Sequence, residues 1–107
     1  WQLALEFRHV SWYQKQTYQL LEKYNASLVI HDMPNSKTPI DYTLAQLIYF
    51  RFHGPTGNYT GSYSTDFIKV YAQQIRYLQT QKKDVYVYFN NTIGGALENA
   101  QVLQQLI

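Results

Sequence analysis

With 107 residues, the chain is long enough for one small domain with a real core and too short for two. It is 46% apolar and 15% charged, which excludes a disordered tail, and a net charge of +2 is too weak to argue for nucleic acid by itself. No cysteine is present, so disulfides and thiolate metal sites are excluded.

Aromatic residues stand out, with 11 Tyr against 5 Phe. Tyrosine joins an apolar body to a polar tip, so many of these side chains suit core edges or the wall of a polar pocket. No signal peptide and no apolar run near bilayer length occurs, and a cytoplasmic protein without membrane contact is expected. The first residue is Trp1, from which a piece of a longer chain is expected, a single partial domain over 1–107. The sequons at Asn25, Asn58 and Asn90 read as chance matches.

Leu3 to Arg8 reads as a first strand. Ser11 is placed to cap a helix running to about Tyr24, with Leu20, Leu21 and Tyr24 on one face. The β-branched run Ser27 to Ile30 is a second strand, and the Pro-containing stretch Asp32 to Asp41 a loop. Ala45 to Phe52 forms a third strand, stopped by Gly54-Pro55. Ser64 opens a second helix, whose Ile68, Tyr71, Ala72, Ile75 and Leu78 follow amphipathic spacing. Lys82-Lys83 turns the chain into a fourth strand, Val85 to Phe89. Asn91 or Thr92 can cap a last helix from about Gly95, with Ala96, Ala100, Leu103 and Ile107 on one face. Strands alternating with helices predict parallel strands covered by helices.

Alternation along the strands separates two faces. Ile48, Phe50 and Phe52 share one face of the third strand, and Tyr49, Arg51 and His53 the other. Likewise Val85, Val87 and Phe89 oppose Tyr86, Tyr88 and Asn90, and Leu3, Leu5 and Phe7 oppose Glu6 and Arg8. A closed barrel accommodates this better than an open sheet: the apolar face meets the helices and the polar face lines the interior. The polar residues cluster towards the C-terminal strand ends, where parallel α/β structures bind ligands. An unpaired buried Arg or Glu costs several kcal/mol on the order of an isolated ion's penalty, so these groups must be paired, hydrated or functional. A purely structural network, with Glu6 pairing Arg8 or Arg51, is the plainer alternative.

Four blocks then become recognisable: "LALEFRHVSW", "ASLVIHDMP", "LIYFRFHGPTGNYTGSYS" and "VYVYFNNTIGGALENAQVL". Together, in order and over nearly the whole chain, they resemble the YecE-like family, domain of unknown function 72. The resemblance implies the C-terminal half, strands five to eight, of a TIM-type (β/α)8 barrel with parallel strands and outer helices. It also implies that the N-terminal half is missing, or that the piece associates with another copy. Glu6, Phe7, Arg8, His9 and Ser11-Trp12 match the family's E-F-R-H-x-S-W block, and Asp32 its acidic residue after the sixth strand. Arg51, His53 and Gly54 match R-x-H-G, Tyr59 a loop tyrosine, and Tyr86, Tyr88, Phe89, Asn90 and Asn91 the V-Y-V-Y-F-N-N run. Gly94 or Gly95 and Asn99 lie beyond it. Thr92 departs from the family's usual acid at that place, and His31 stands where a small residue is expected.

The resulting expectation is an uncharacterised, hydrolase-like enzyme acting on a small anionic substrate, bearing phosphate or carboxylate, at the C-terminal face. Arg8 and Arg51 would bind the anion, because guanidinium matches both groups. Glu6 and His53 are the acid–base candidates. Asp32, Tyr88, Asn90 and Asn91 are expected to contact the substrate. The glycine-rich loops Gly54 to Ser64 and Asn91 to Gly95 could help hold phosphate, or could merely permit tight turns. Glu6, His9, His31, Asp32 and His53 could ligate a metal, but no short ligand motif occurs and two arginines disfavour a cation, so none is assigned. No P-loop or dinucleotide fingerprint occurs, and the cofactor is unknown. The rivals are a non-catalytic ligand- or nucleic-acid-binding barrel, with aromatics and Arg suited to stacking, and a metal-dependent phosphodiesterase or endonuclease.

Overall fold

The alternation in the third strand sets the architecture. In the computed structural model, which describes residues 1–39 and 45–107, this strand, β3, spans Leu47–Phe52. Ile48, Phe50 and Phe52 are buried at 3% exposure or less, while Tyr49 and Arg51 are only half-buried. Before it come β1 (Ala4–Leu5), a 3-10 turn (Val10–Trp12), α1 (Lys15–Lys23) and β2 (Ser27–His31). After it come α2 (Thr65–Thr80), β4 (Asp84–Phe89) and α3 (Ala96–Leu106). The strands form one sheet in the order β1-β2-β3-β4, every neighbouring pair parallel. The predicted loop's last residues, Ile40 and Asp41, lie outside the described residues.

The apolar face of β3 meets α2. Phe52 packs edge-on to Tyr71 at 4.7 Å and Phe67 at 5.7 Å, and Phe50 meets Tyr71 at 5.9 Å. Each such ring buried stabilises the fold by roughly 1.5–3 kcal/mol. The predicted stripe of α2, Ile68, Tyr71, Ala72, Ile75 and Leu78, is its buried face. Ser64 caps it as expected, its hydroxyl accepting from the Phe67 N–H at 3.2 Å. Asp66 in the first turn also suits the positive end of the helix dipole. Ser64→Ala is expected to lower stability by about 1 kcal/mol, read as a lower urea midpoint at unchanged m-value.

Three local expectations are corrected. α1 starts at Lys15 rather than after Ser11, because Val10–Trp12 closes into its own 3-10 turn. His9 caps that turn, its ring accepting from the Ser11 N–H. The buried residues of α1 are therefore Thr17 and Leu21, four apart. Leu20 and Tyr24 are exposed, Leu20 sitting about 100° round the helix from Leu21. β1 is shorter than predicted, and Leu3 and Leu5 remain exposed. In α3 neither Asn91 nor Thr92 caps: the N-cap is Gly95, without a side-chain bond. Its inward residues are Asn99, Val102, Leu103 and Leu106, not Ala100 and Ile107. No helix among the described residues is long and apolar enough to cross a membrane.

Parallel sheets ordinarily have both faces covered. Here β2 is buried on both faces, but Tyr86 and Tyr88 of β4 are about half exposed on the face opposite the helices. That uncovered face carries the polar inventory.

Candidate functional site

Glu6, Arg8, Asp32, Arg51, His53 and Asn90 come from four different strand ends and form one connected network. Glu6, just after β1, is its hub. One carboxylate oxygen lies 2.6 Å from Arg8 Nε, and the other accepts from Arg51 Nη1 at 3.1 Å. Arg51 uses its remaining edge on Asn90, whose amide oxygen accepts from Nε and Nη2 at 2.7 and 2.8 Å in the orientation that satisfies both side chains. The two arginines therefore share a single carboxylate. Glu6 is 12% exposed, but the Arg8 and Arg51 side chains are 46% and 36% exposed.

His53, the residue after β3, sits beneath them with no exposed surface. Its Nε2 is 3.5 Å from Arg8 Nη2 and 3.8 Å from Glu6 Oε1, and its Nδ1 is 3.4 Å from Asp32 Oδ1. Arginine can only donate, so Nε2 accepts and the ring proton belongs on Nδ1. Burial pushes the His53 pKa below the ordinary value, with nearby Arg51 and Arg8 acting in the same direction and Glu6 and Asp32 opposing. Asp32 is fully committed within the chain. Oδ1 accepts from the His53 backbone N–H at 2.8 Å, and Oδ2 from the Tyr63 hydroxyl, which itself accepts from the Gly54 N–H at 2.6 Å.

Tyr88 borders the network through its register with Arg51 and stacks on Tyr49 at 4.9 Å. Asn91, expected to contact substrate, lies elsewhere. It is fully buried and donates to the Gly61 carbonyl and to Asn99 Oδ1, both at 3.0 Å. Asn99 also accepts from the Tyr63 N–H at 3.0 Å and donates to the Tyr63 carbonyl and Ser62 Oγ at 3.1 Å. The asparagine pair thus ties the loop after β3 to the start of α3.

The glycines serve the same junction. A Cβ on Gly94 would lie 2.2 Å from the Gly61 carbonyl oxygen, and one on Gly54, at φ +100, 2.5 Å from that of Thr60. Close packing of two loops therefore accounts for them without a phosphate. Tyr59 adopts φ 61, unusual for a side-chain-bearing residue. Its N–H bonds to the His53 carbonyl, its C=O to the Ile93 N–H, and its ring packs on His53 at 5.6 Å.

His31, which stands where a small residue is expected, is fixed in a second buried network. Nδ1 accepts from the Met33 N–H at 3.2 Å, so Nε2 donates to the Phe7 carbonyl at 2.8 Å. The Tyr13 hydroxyl closes that network, donating to the Ser36 carbonyl at 2.6 Å, and Thr38 lies beside it. Neither Tyr13 nor Tyr63 stands out in the sequence among so many tyrosines. Of the metal candidates, His9 pairs with Ser11 at the surface, and His31, though its ring meets that of His53 edge-on at 5.7 Å, has both nitrogens taken up by backbone groups. Among the described residues no group of three or more His, Asp or Glu side chains is arranged to hold a metal ion.

Burial raises the pKa of Tyr63 and Tyr71, and for Tyr63 the Asp32 carboxylate adds to it. Their folded-state pKa lies above the unfolded value near 10, so the unfolded chain loses these protons first. Stability is expected to fall as pH rises above about 10, by about 1.4 kcal/mol per pH unit for each group. The acid limb has the opposite origin. His31 and His53 are held below about 6.5, chiefly by burial, so the unfolded chain gains protons first and stability falls as pH drops below that value. Urea denaturation across pH 5 to 11 checks both signs.

Four parallel strands with outer helices, polar side chains converging at the strand ends, define half of a TIM-type (β/α)8 barrel. The model of the family described as "Protein of unknown function DUF72" matches residues 1–107, and the chain belongs to that family. It is similar to the crystal structure of a DUF72 family protein from Thermotoga maritima, with 30% identity and a TM-score of 0.87, covering 99% of this chain and 46% of that one. A DUF72 family protein from Enterococcus faecalis is 33% identical with a TM-score of 0.81, covering 98% of this chain and 48% of that one. The chain thus spans about half the length of these solved relatives. Among curated proteins none matches.

Proposed function

We propose that this chain supplies part of the active site of an enzyme acting on an anionic, phosphate- or carboxylate-bearing substrate at the C-terminal face of the barrel. One observation carries the reading: two half-exposed guanidinium groups share one nearly buried carboxylate, while the second carboxylate of the network, Asp32, is taken up by His53 and Tyr63. The charges balance in number but not in place: the Arg8 and Arg51 side chains are 46% and 36% exposed, the Glu6 and Asp32 side chains 12% and 10%. Guanidinium binds phosphate and carboxylate through charge-assisted, often bidentate hydrogen bonds.

Arg8 and Arg51 hold the anion in this reading. Asn90 orients the Arg51 fork, and Tyr88 walls the site. Glu6 is the proton-handling candidate, and His53, closed off from the open side, acts through it. The rest of the mouth comes from four further β/α units, N-terminal in a longer chain or from another copy. This half would then be the C-terminal one. A titration of the full-length protein with inorganic phosphate, followed by calorimetry, tests the reading. Saturable binding that weakens with salt supports it, and no heat at millimolar phosphate overturns it.

Nucleic acid is the second reading, supported by the exposed Tyr86 and Tyr88 rings beside Arg51. Base stacking on such rings is sequence-tolerant. Binding of a single-stranded oligonucleotide far tighter than phosphate would favour it.

A further inference from the structure

We propose that Asp32 is a positioning residue: it holds His53 in the Nδ1–H tautomer, and the Nε2 lone pair so presented steers the Arg8 guanidinium towards the mouth. The inference rests on the anion-binding reading for its purpose, but its geometry stands separately. Asp32 has no free oxygen with which to meet a substrate: Oδ1 takes the His53 N–H, and Oδ2 the Tyr63 hydroxyl. The Tyr63 hydroxyl is itself fixed by the Gly54 N–H. Asp32 is therefore oriented from behind, and its Oδ1 lies 3.4 Å from His53 Nδ1, which has no formed hydrogen bond, so the carboxylate acts on the ring proton by electrostatic attraction. On the far side of the ring, Nε2 faces an Arg8 nitrogen at 3.5 Å. On that side the Arg8 donor at 3.5 Å is nearer than Glu6 Oε1 at 3.8 Å, so the carboxylate beside Nδ1 and the guanidinium beside Nε2 favour the same tautomer. Among the described residues Arg8 meets Glu6 Oε1 and His53 Nε2, and nearly half its side chain is exposed. Two fixed acceptors at two nitrogens of one planar group, Nε and Nη2, set its direction.

The two buried histidines provide an internal control. His31 Nδ1 accepts from the Met33 N–H, so His31 carries its proton on Nε2, opposite to His53. Long-range 1H–15N correlation NMR on histidine-labelled full-length protein at pH 7.5, without added anion, reads both rings directly. The expected result is Nδ1–H for His53 and Nε2–H for His31; an Nε2–H or doubly protonated His53 overturns the proposal. Asp32→Ala is then expected to shift His53 towards Nε2–H and to weaken inorganic phosphate binding by about tenfold. In an Arg8→Met background the same change is expected to alter phosphate affinity by less than about twofold, because the pathway ends at Arg8. An equal loss in both backgrounds means that Asp32 acts on the fold alone and overturns the proposal. If the wild-type protein binds no phosphate, the anion reading fails, and the tautomers alone decide the positioning role. If Asp32→Ala does not fold, the wild-type tautomers decide it in the same way.

Discussion

Arg51→Met is expected to weaken inorganic phosphate binding by about 10- to 100-fold and to leave the protein folded. Hydrogen bonds to charged groups contribute about 1.5–3 kcal/mol, and each 1.4 kcal/mol is a factor of ten. Methionine keeps an unbranched apolar stem and removes only the fork. The groups left behind are not stranded: Glu6 retains Arg8 at 2.6 Å, and Asn90 is half-buried, so water can replace the lost donors. A structural role predicts a different outcome. If Arg51 chiefly cancels the charge on Glu6, the variant loses several degrees of Tm and its affinity for phosphate is unchanged. Calorimetric titration beside a thermal melt separates the two. Arg51→Lys should restore part of the affinity, since it returns the charge without the bidentate geometry and cannot reach Glu6 and Asn90 together.

The same residue shows why some of the site is legible in sequence. Period-two alternation places Arg51 on the face opposite Phe50 and Phe52, and the structure keeps that division. Glu6, Arg8, Asp32, His53 and Asn90 could be gathered in advance because strand ends in a parallel sheet converge. What cannot be read in this way is direction within the cluster. Asp32 and His53 are equally polar in sequence, yet Asp32 faces back towards Tyr63 and His53 is sealed beneath Arg8. Asn90 and Asn91 are neighbours just beyond β4, yet Asn90 meets Arg51 and Asn91 turns into the loop junction.

Helix faces follow the same logic with less security. The stripe on α2 is long, regular and capped, so its burial follows from spacing. In α1 the Ser11 hydroxyl is a plausible cap, but His9 captures the Ser11 N–H and closes a separate turn. The α-helix then begins later, and the face that packs is a different one. His31 was obscured by the opposite problem: its partners are the Phe7 carbonyl, the Met33 amide and a tyrosine eighteen residues away, none of which a local pattern marks.

The largest stability loss is expected from Asn99→Leu, by roughly 3 kcal/mol or more, since each buried polar group left unpaired costs about 1–3 kcal/mol. Leucine shares the branched shape of asparagine and leaves no cavity, so the loss reports on hydrogen bonding together with the bulk of its two methyl groups. Four bonds disappear together: those with the Tyr63 N–H, the Tyr63 carbonyl, Ser62 Oγ and the Asn91 amide. Asn99 is 3% exposed and Asn91 not at all, so water has little access to the orphaned groups. Native stability in domains of this size is only about 5–15 kcal/mol, which makes the change a large fraction of the whole. Its effect should also reach the site. Tyr63 holds Asp32 through its hydroxyl, and the loop on which Tyr63 sits is anchored by Asn99. Urea denaturation should show a reduced midpoint. Histidine NMR should show His53 losing its single tautomer while His31, held by Phe7 and Met33, keeps its own. A full loss of stability with His53 unchanged in the folded fraction would mean that Asp32 is held independently of the loop junction.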